Sequence, residues 1–186
     1  MIVAGGITEI VGRLSSGRTS LFTACLRDVT QRGALAAIVD SDRAFDPASA
    51  ARAGVDLSRV LWVCGDGRRD LALRATDLLV RCPGFALVGL DLGETPGHLT
   101  LASTYRWKLA VRRTGTALVV IARRRIIGAG AVLAVETRRR GCEWAGPGPT
   151  PTRLARIDTD VHILRSGGAG MLAAAGVARR FEWRGP

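Results

Sequence analysis

Lysine is nearly missing from this chain. Among 27 basic residues Lys108 is the sole lysine, and the others are arginine. Aromatic residues are scarce too, with one Tyr and four each of Phe and Trp. No platform for stacking single-stranded bases is evident from so few rings. The four cysteines (Cys25, Cys64, Cys82, Cys142) form no C-x-x-C pair, and His98 and His162 stand apart from them. Zinc-ligand spacing is therefore lacking. The cysteines read as reduced and mostly buried, which points to the cytoplasm. No apolar run reaches eighteen residues, which argues against a transmembrane helix and a membrane partner. The opening MIVAGGITEI has neither the basic start nor the cleavage pattern of a secretory signal.

What is present is charge of one sign on an ordinary globular composition. The net charge is +11 and the pI about 11.3, with 47% hydrophobic and 23% charged residues. Such a balance suits an acidic partner such as nucleic acid. Arginine with abundant Ala and Gly is equally the mark of a GC-rich genome, so both readings stand. A chain of 186 residues buries a real core as a single domain. We place that domain at 1–164, followed by a tail at 165–186 that is flexible or partner-binding.

From residue 6 to about 122, apolar runs of strand length alternate with helical periodicity. Strands are expected at 7–11 (ITEIV), 34–40 (ALAAIVD), 60–64 (VLWVC), 85–91 (FALVGLD) and 116–122 (TALVVIA). Helices are expected at 18–32, 68–82 and 98–113, the last with Arg112 and Arg113 at its C-terminal end. This alternation describes helices on a mostly parallel sheet. Two further strands, 131–138 and 154–164, are separated by GCEWAGPGPTPT and form an antiparallel C-terminal extension.

The first strand runs into GRLSSGRTS, residues 12–20. A phosphate-binding P-loop reads G-x-x-x-x-G-K-[ST] in this strand–loop–helix setting, and only the lysine differs, being Arg18. Gly12, Ser15, Ser16, Gly17, Arg18 and Thr19 would curl the backbone so that amides at a helix N-terminus face an anion. Downstream, Asp91 closes an apolar strand as a Mg²⁺-linked acid does, and Asp40 and Asp42 close the strand where a water-activating acid sits. No metal site is otherwise indicated.

GGITEIVGRLSSGRTSL and AAIVDSDRAFDPASAARAGVDLSRVLWV resemble the core of the bacterial recombinase RecA. The resemblance runs from about residue 5 to 123 and implies a RecA-like P-loop NTPase core. It also implies losses. Arg18 replaces the P-loop lysine with a bulkier, planar cation. Asp42 stands one methylene short of the catalytic glutamate, leaving it vestigial. Asp46 matches the acid that contacts adenine, but the stacking aromatic falls at Ser49, and the γ-phosphate sensor at Arg123. Asp158 and Asp160 stand where the family carries a lysine pair. The two DNA-binding loops are cut to GETPGHLT and RRRIIGAG, and little chain precedes the first strand to carry a filament-docking element. Weak ATP/Mg²⁺ or anion binding is the most these positions allow, with no cofactor required.

The arginines that remain form two clusters, Arg123, Arg124, Arg125 and Arg138, Arg139, Arg140. They are read as nucleic-acid or partner contacts, or as a solvated sheet rim. If their strands are antiparallel, they lie at opposite ends of the sheet. Phe181 and Trp183, between arginines, are interface anchors or tail packed on its own domain. A small, arginine-rich, non-filamenting RecA relative with a decayed P-loop is similar to the ImuA family. That resemblance implies a non-catalytic scaffold in damage-induced translesion synthesis. Its partners would be an ImuB-like Y-family polymerase relative and a replicative-type polymerase, with contacts to DNA and RecA. Two alternatives stand beside it: an active RecA-type DNA-dependent ATPase with a variant P-loop, and a SulA-like inhibitor of cell division.

Overall fold

A computed structural model describes residues 2–167 and 178–184. The expected alternation is present, with one short helix, α2, that was not expected: β1 (Ile7–Gly12), α1 (Arg18–Thr30), β2 (Leu35–Asp40), α2 (Pro47–Arg52), β3 (Val60–Cys64), α3 (Arg69–Leu79), β4 (Phe85–Asp91), α4 (Leu101–Thr114) and β5 (Ala117–Ala122). Three further strands follow, β6 (Leu133–Ala145), β7 (Arg153–Ser166) and β8 (Ala178–Arg184). All join one sheet in the order β3-β2-β4-β5-β1-β6-β7-β8. Pairing is parallel from β3 through β6 and antiparallel from β6 through β8.

Period two along the strands feeds two cores. On β5, Val119 and Ile121 join Phe22 and Leu26 of α1 on one face, while Leu118 and Val120 meet Trp107 and Val111 of α4 on the other. Strands buried on both faces read as continuous apolar runs, as β5 does. The Phe22 ring lies directly over Gly89 of β4, where an added Cβ would collide with it. Gly89 thus sets how closely α1 approaches the sheet. At the far end, α4 stops on Gly115 in the left-handed region, with Arg112 and Arg113 in its last turn.

Two boundaries were not legible in the sequence. β6 continues through GCEWA, which reads as loop but pairs with β7 across three register shifts. Of the expected tail, residues 178–184 form β8 against β7, with Thr159 opposite Phe181 and Ile157 opposite Trp183. Residues 168–177 lie outside the described residues. No helix among the described residues is long and apolar enough to cross a membrane.

Candidate functional site

β1 is central in the sheet, and its C-terminal end, where α/β sheets place their ligands, opens into the loop before α1. Ser15 (φ 57°) and Gly17 (φ 91°) are left-handed and curl that loop. Its outer wall comes from β6 and β7. Thr137 Oγ1 donates to the Val11 carbonyl (3.2 Å) and shares a 2.6 Å hydrogen bond with Ser16 Oγ. Thr159 Oγ1 donates to the Ser16 carbonyl at 3.1 Å. A side chain at Gly12 would strike Ser16 and Thr137, and one at Gly17 would strike Thr159. The P-loop backbone is therefore built and pinned. Gly17 caps α1 with no side-chain acceptor, and the first turn holds no acid, so the helix N-terminus retains anion-binding amides. Thr19 is exposed beside them.

Arg18 does not point out toward that anion position. Its side chain is only 7% exposed; Nη1 donates to the Gly12 carbonyl at 2.7 Å, and Nη2 pairs with Glu94 Oε1 at 2.6 Å. Glu94 lies in the loop that follows β4. The cation of the motif is thus held by the protein's own carbonyl and carboxylate. Asp91 closes β4 nearby, accepting from the Gly93 amide at 2.9 Å. Burial raises its carboxyl above the ordinary value; Asp40 and Asp42 add to this, while the Gly93 amide and Arg18 oppose it. A phosphate seated at Arg18 has to displace Glu94.

Residues 2–93 match the RecA N-terminal domain family. The chain is RecA-like. It is 40% identical over 87 residues to Protein RecA of Synechococcus sp. (strain CC9605), which is 47% of this chain and 23% of that protein. It is 39% identical over 87 residues to Protein RecA of Ruegeria pomeroyi (strain ATCC 700808 / DSM 15171 / DSS-3), covering 47% of this chain and 25% of the relative. The match thus spans no more than a quarter of the length of these relatives. The family match takes in the P-loop, Asp42 and Asp91, and ends one residue before Glu94.

Within this RecA-like core the acids after β2 divide their roles. Asp40 is fully buried, and its carboxylate accepts from the amides of Asp42 (3.3 Å), Ala44 (3.0 Å) and Phe45 (2.9 Å). It shapes the turn and is unavailable to activate water. Asp42 is exposed, accepts from Ser41 Oγ at 3.1 Å and lies close against Gly93. Asp46 is the N-cap of α2, accepting from the amides of Ala48 and Ser49, with Pro47 at the first helical position.

The arginine clusters are corrected by the topology. β5 and β6 both run parallel to β1, so Val11 has Ala122 on one side and Glu136 on the other. Both clusters therefore sit at the same edge as the P-loop, one on each flank, and not at opposite ends. Half of their charge is already neutralised. Arg125 pairs with Glu9 (3.2 Å), Arg138 with Glu136 (2.8 Å) and Arg140 with Asp160 (3.8 Å). Arg124 donates to the Gly97 carbonyl at 3.4 Å. Arg123 and Arg139 are exposed without an ion pair among the described residues. Arg139 lines a cleft of about 240 Å³ between the P-loop and β6–β7, beside Leu14, Trp144 and Ile157. Asp158 pairs with Arg156 at 2.9 Å.

Sequence reasoning missed two acids. Glu9, fully buried in β1, receives the amides of Ile126 and Ile127 as well as Arg125. A lone carboxylate within ITEIV was a readable sign of that role. Glu94 carried no such sign, because only the chain reversal after β4 brings it to Arg18. The cysteines differ from expectation as well: only Cys25 is buried, while Cys64, Cys82 and Cys142 are exposed, all four with free thiols.

Proposed function

We propose that this protein is a non-catalytic RecA-like accessory factor of damage-induced translesion DNA synthesis, an ImuA-like scaffold acting in the cytoplasm. One observation carries the non-catalytic part: the Arg18 guanidinium is consumed by the Gly12 carbonyl and Glu94. A P-loop cation must meet the β- and γ-phosphates to stabilise transferred charge. Here Arg18 Nη2 lies 2.6 Å from the Glu94 carboxylate instead. Asp42 carries the shorter acid at the site of water activation, and misplacing a nucleophile by an ångström costs on the order of a hundredfold in rate. The short loops after β4 and β5 leave little to wrap a DNA strand. What remains is a rigid sheet with charged flanks, suited to holding other proteins.

The competing reading is a RecA-type ATPase. It draws on the intact loop backbone, the uncapped N-terminus of α1 and the retained Asp91. Genetic complementation distinguishes the two. In a host strain lacking the gene, the wild-type chain and the Asp42→Ala variant both restore damage-induced mutagenesis under the scaffold reading. The purified chain also co-elutes with an ImuB-like Y-family polymerase relative. Loss of mutagenesis with Asp42→Ala at normal protein levels favours the ATPase. Binding to an FtsZ-like protein in place of the polymerase relative supports the cell-division alternative.

A further inference from the structure

The face opposite α1 carries a feature that neither the P-loop nor the arginine clusters involve. α3 presents Arg74 and Leu78 along one side, Arg81 follows in the turn after it, and α4 presents Arg106, Leu109 and Arg113. Spacings of four on α3 and of three and four on α4 place each set on one helical face. Between them lie two cavities of about 440 and 550 Å³. Arg81 and Arg106 line both, so the cavities are two ends of one groove. Trp107 closes the floor and is itself buried. Leu78 is 70% exposed and Leu109 49%. Among the described residues lining the two cavities Asp77 is the one acid, pairing with Arg81 at 3.1 Å and Arg106 at 3.8 Å. Arg74 and Arg113 have no ion pair among the described residues.

We infer that this groove docks an acidic amphipathic helix from a partner protein. Exposed leucines between cationic rims match the apolar stripe and flanking carboxylates of such a helix. From Arg106 to Arg113 along α4 the groove runs about 10 Å, roughly two helical turns, enough for two apolar anchors at i and i+4. Nucleic acid is the weaker fit. Aliphatic leucines offer no stacking surface, and the one indole in the groove is buried beneath them. The chain's own segment 168–177 (GAGMLAAAGV) has no acid with which to answer the arginines. The inference stands independently of whether the P-loop turns over ATP.

The test uses a fluorescein-labelled helical peptide of about fifteen residues. Two leucines one turn apart are flanked by glutamates, and its partner is an isomer of identical composition with the pattern scrambled. Anisotropy is measured with the full chain. The groove predicts saturable binding of the patterned peptide, at least roughly tenfold tighter than the scrambled one. Leu78→Ser with Leu109→Ser should weaken it by about tenfold, and so should Arg81→Glu with Arg106→Glu, at moderate salt. Circular dichroism melts confirm that both variants fold. Equal binding of the two isomers overturns the proposal. So does an oligo-dT that competes and is lost with the arginine variant but not the leucine one, which would make this a nucleic-acid surface.

Discussion

Replacing Glu94 with alanine removes the carboxylate that holds Arg18 and leaves the guanidinium with Gly12 alone. The 2.6 Å contact joins a buried cation to an acid that is 37% exposed. Removing one partner of a fully buried ion pair costs about 3–5 kcal/mol, and partial exposure of Glu94 reduces this through solvent screening. A loss of about 1–2 kcal/mol follows. For a chain of this size each kcal/mol moves Tm by roughly 2–4 °C, so the Glu94→Ala midpoint should fall by about 2–8 °C. The vacated position is an anion site, formed by Arg18 and the α1 amides. Tripolyphosphate at about ten times its Kd adds about 1.4 kcal/mol, which returns most of the lost stability. The assay is a thermal melt of both proteins across a tripolyphosphate titration, with sodium chloride matched for ionic strength. The wild type should respond little and Glu94→Ala strongly. Equal responses, or a variant as stable as the wild type, would refute the idea that Glu94 occupies the phosphate position.

Three other outcomes are expected. Gly89→Ala forces the Phe22 ring off the sheet, and overpacking of this kind costs about 1–3 kcal/mol; a denaturation midpoint unchanged from wild type would show that α1 shifts freely. Asp91 has its carboxyl raised by burial, so the folded state holds its proton more tightly than the unfolded one. Stability is then lost as pH rises from the ordinary carboxylate range through the raised value. Asp91→Asn should melt higher than wild type at neutral pH, the gap closing toward acid pH, whereas a lower neutral-pH melt would mean that bonding to Gly93 dominates. Cys25 is buried, and burial pushes its thiol up to about 11. Iodoacetamide on the native protein should modify Cys64, Cys82 and Cys142 and spare Cys25, as read by intact mass and peptide mapping; alkylation of Cys25 at the same rate would contradict the packing around α1.

The sequence's most informative stretch turns out to be informative about shape. In DSDRAFDP, Asp40 gathers three backbone amides, Phe45 is buried against the Trp62 ring with centroids 5.6 Å apart, and Asp46 with Pro47 starts α2. A pattern so specific identifies a fold because each letter satisfies a local requirement of that fold. Strand patterning exposed β4 and β5 for the same reason, since burial on both faces imposes apolar runs. What remained hidden depends on contacts across the sheet. Whether the arginine clusters meet is decided by β6 pairing parallel to β1, which no local pattern encodes. The hold on Arg18 joins residues separated by α1, β2, α2, β3, α3 and β4. Thr137 and Thr159 look like ordinary strand threonines until the P-loop packs against them. β8 was illegible because it is a short edge strand whose pairing partner, β7, supplies its order.

The central claim is that this RecA-like core keeps the form of a P-loop without its ATP chemistry. Isothermal titration of the wild-type chain with ATP·Mg²⁺, followed by phosphate release on the same sample, tests it most directly. The account predicts no turnover, with at most weak heat that inorganic triphosphate reproduces equally well. Micromolar ATP binding with turnover that Asp42→Ala abolishes would contradict it.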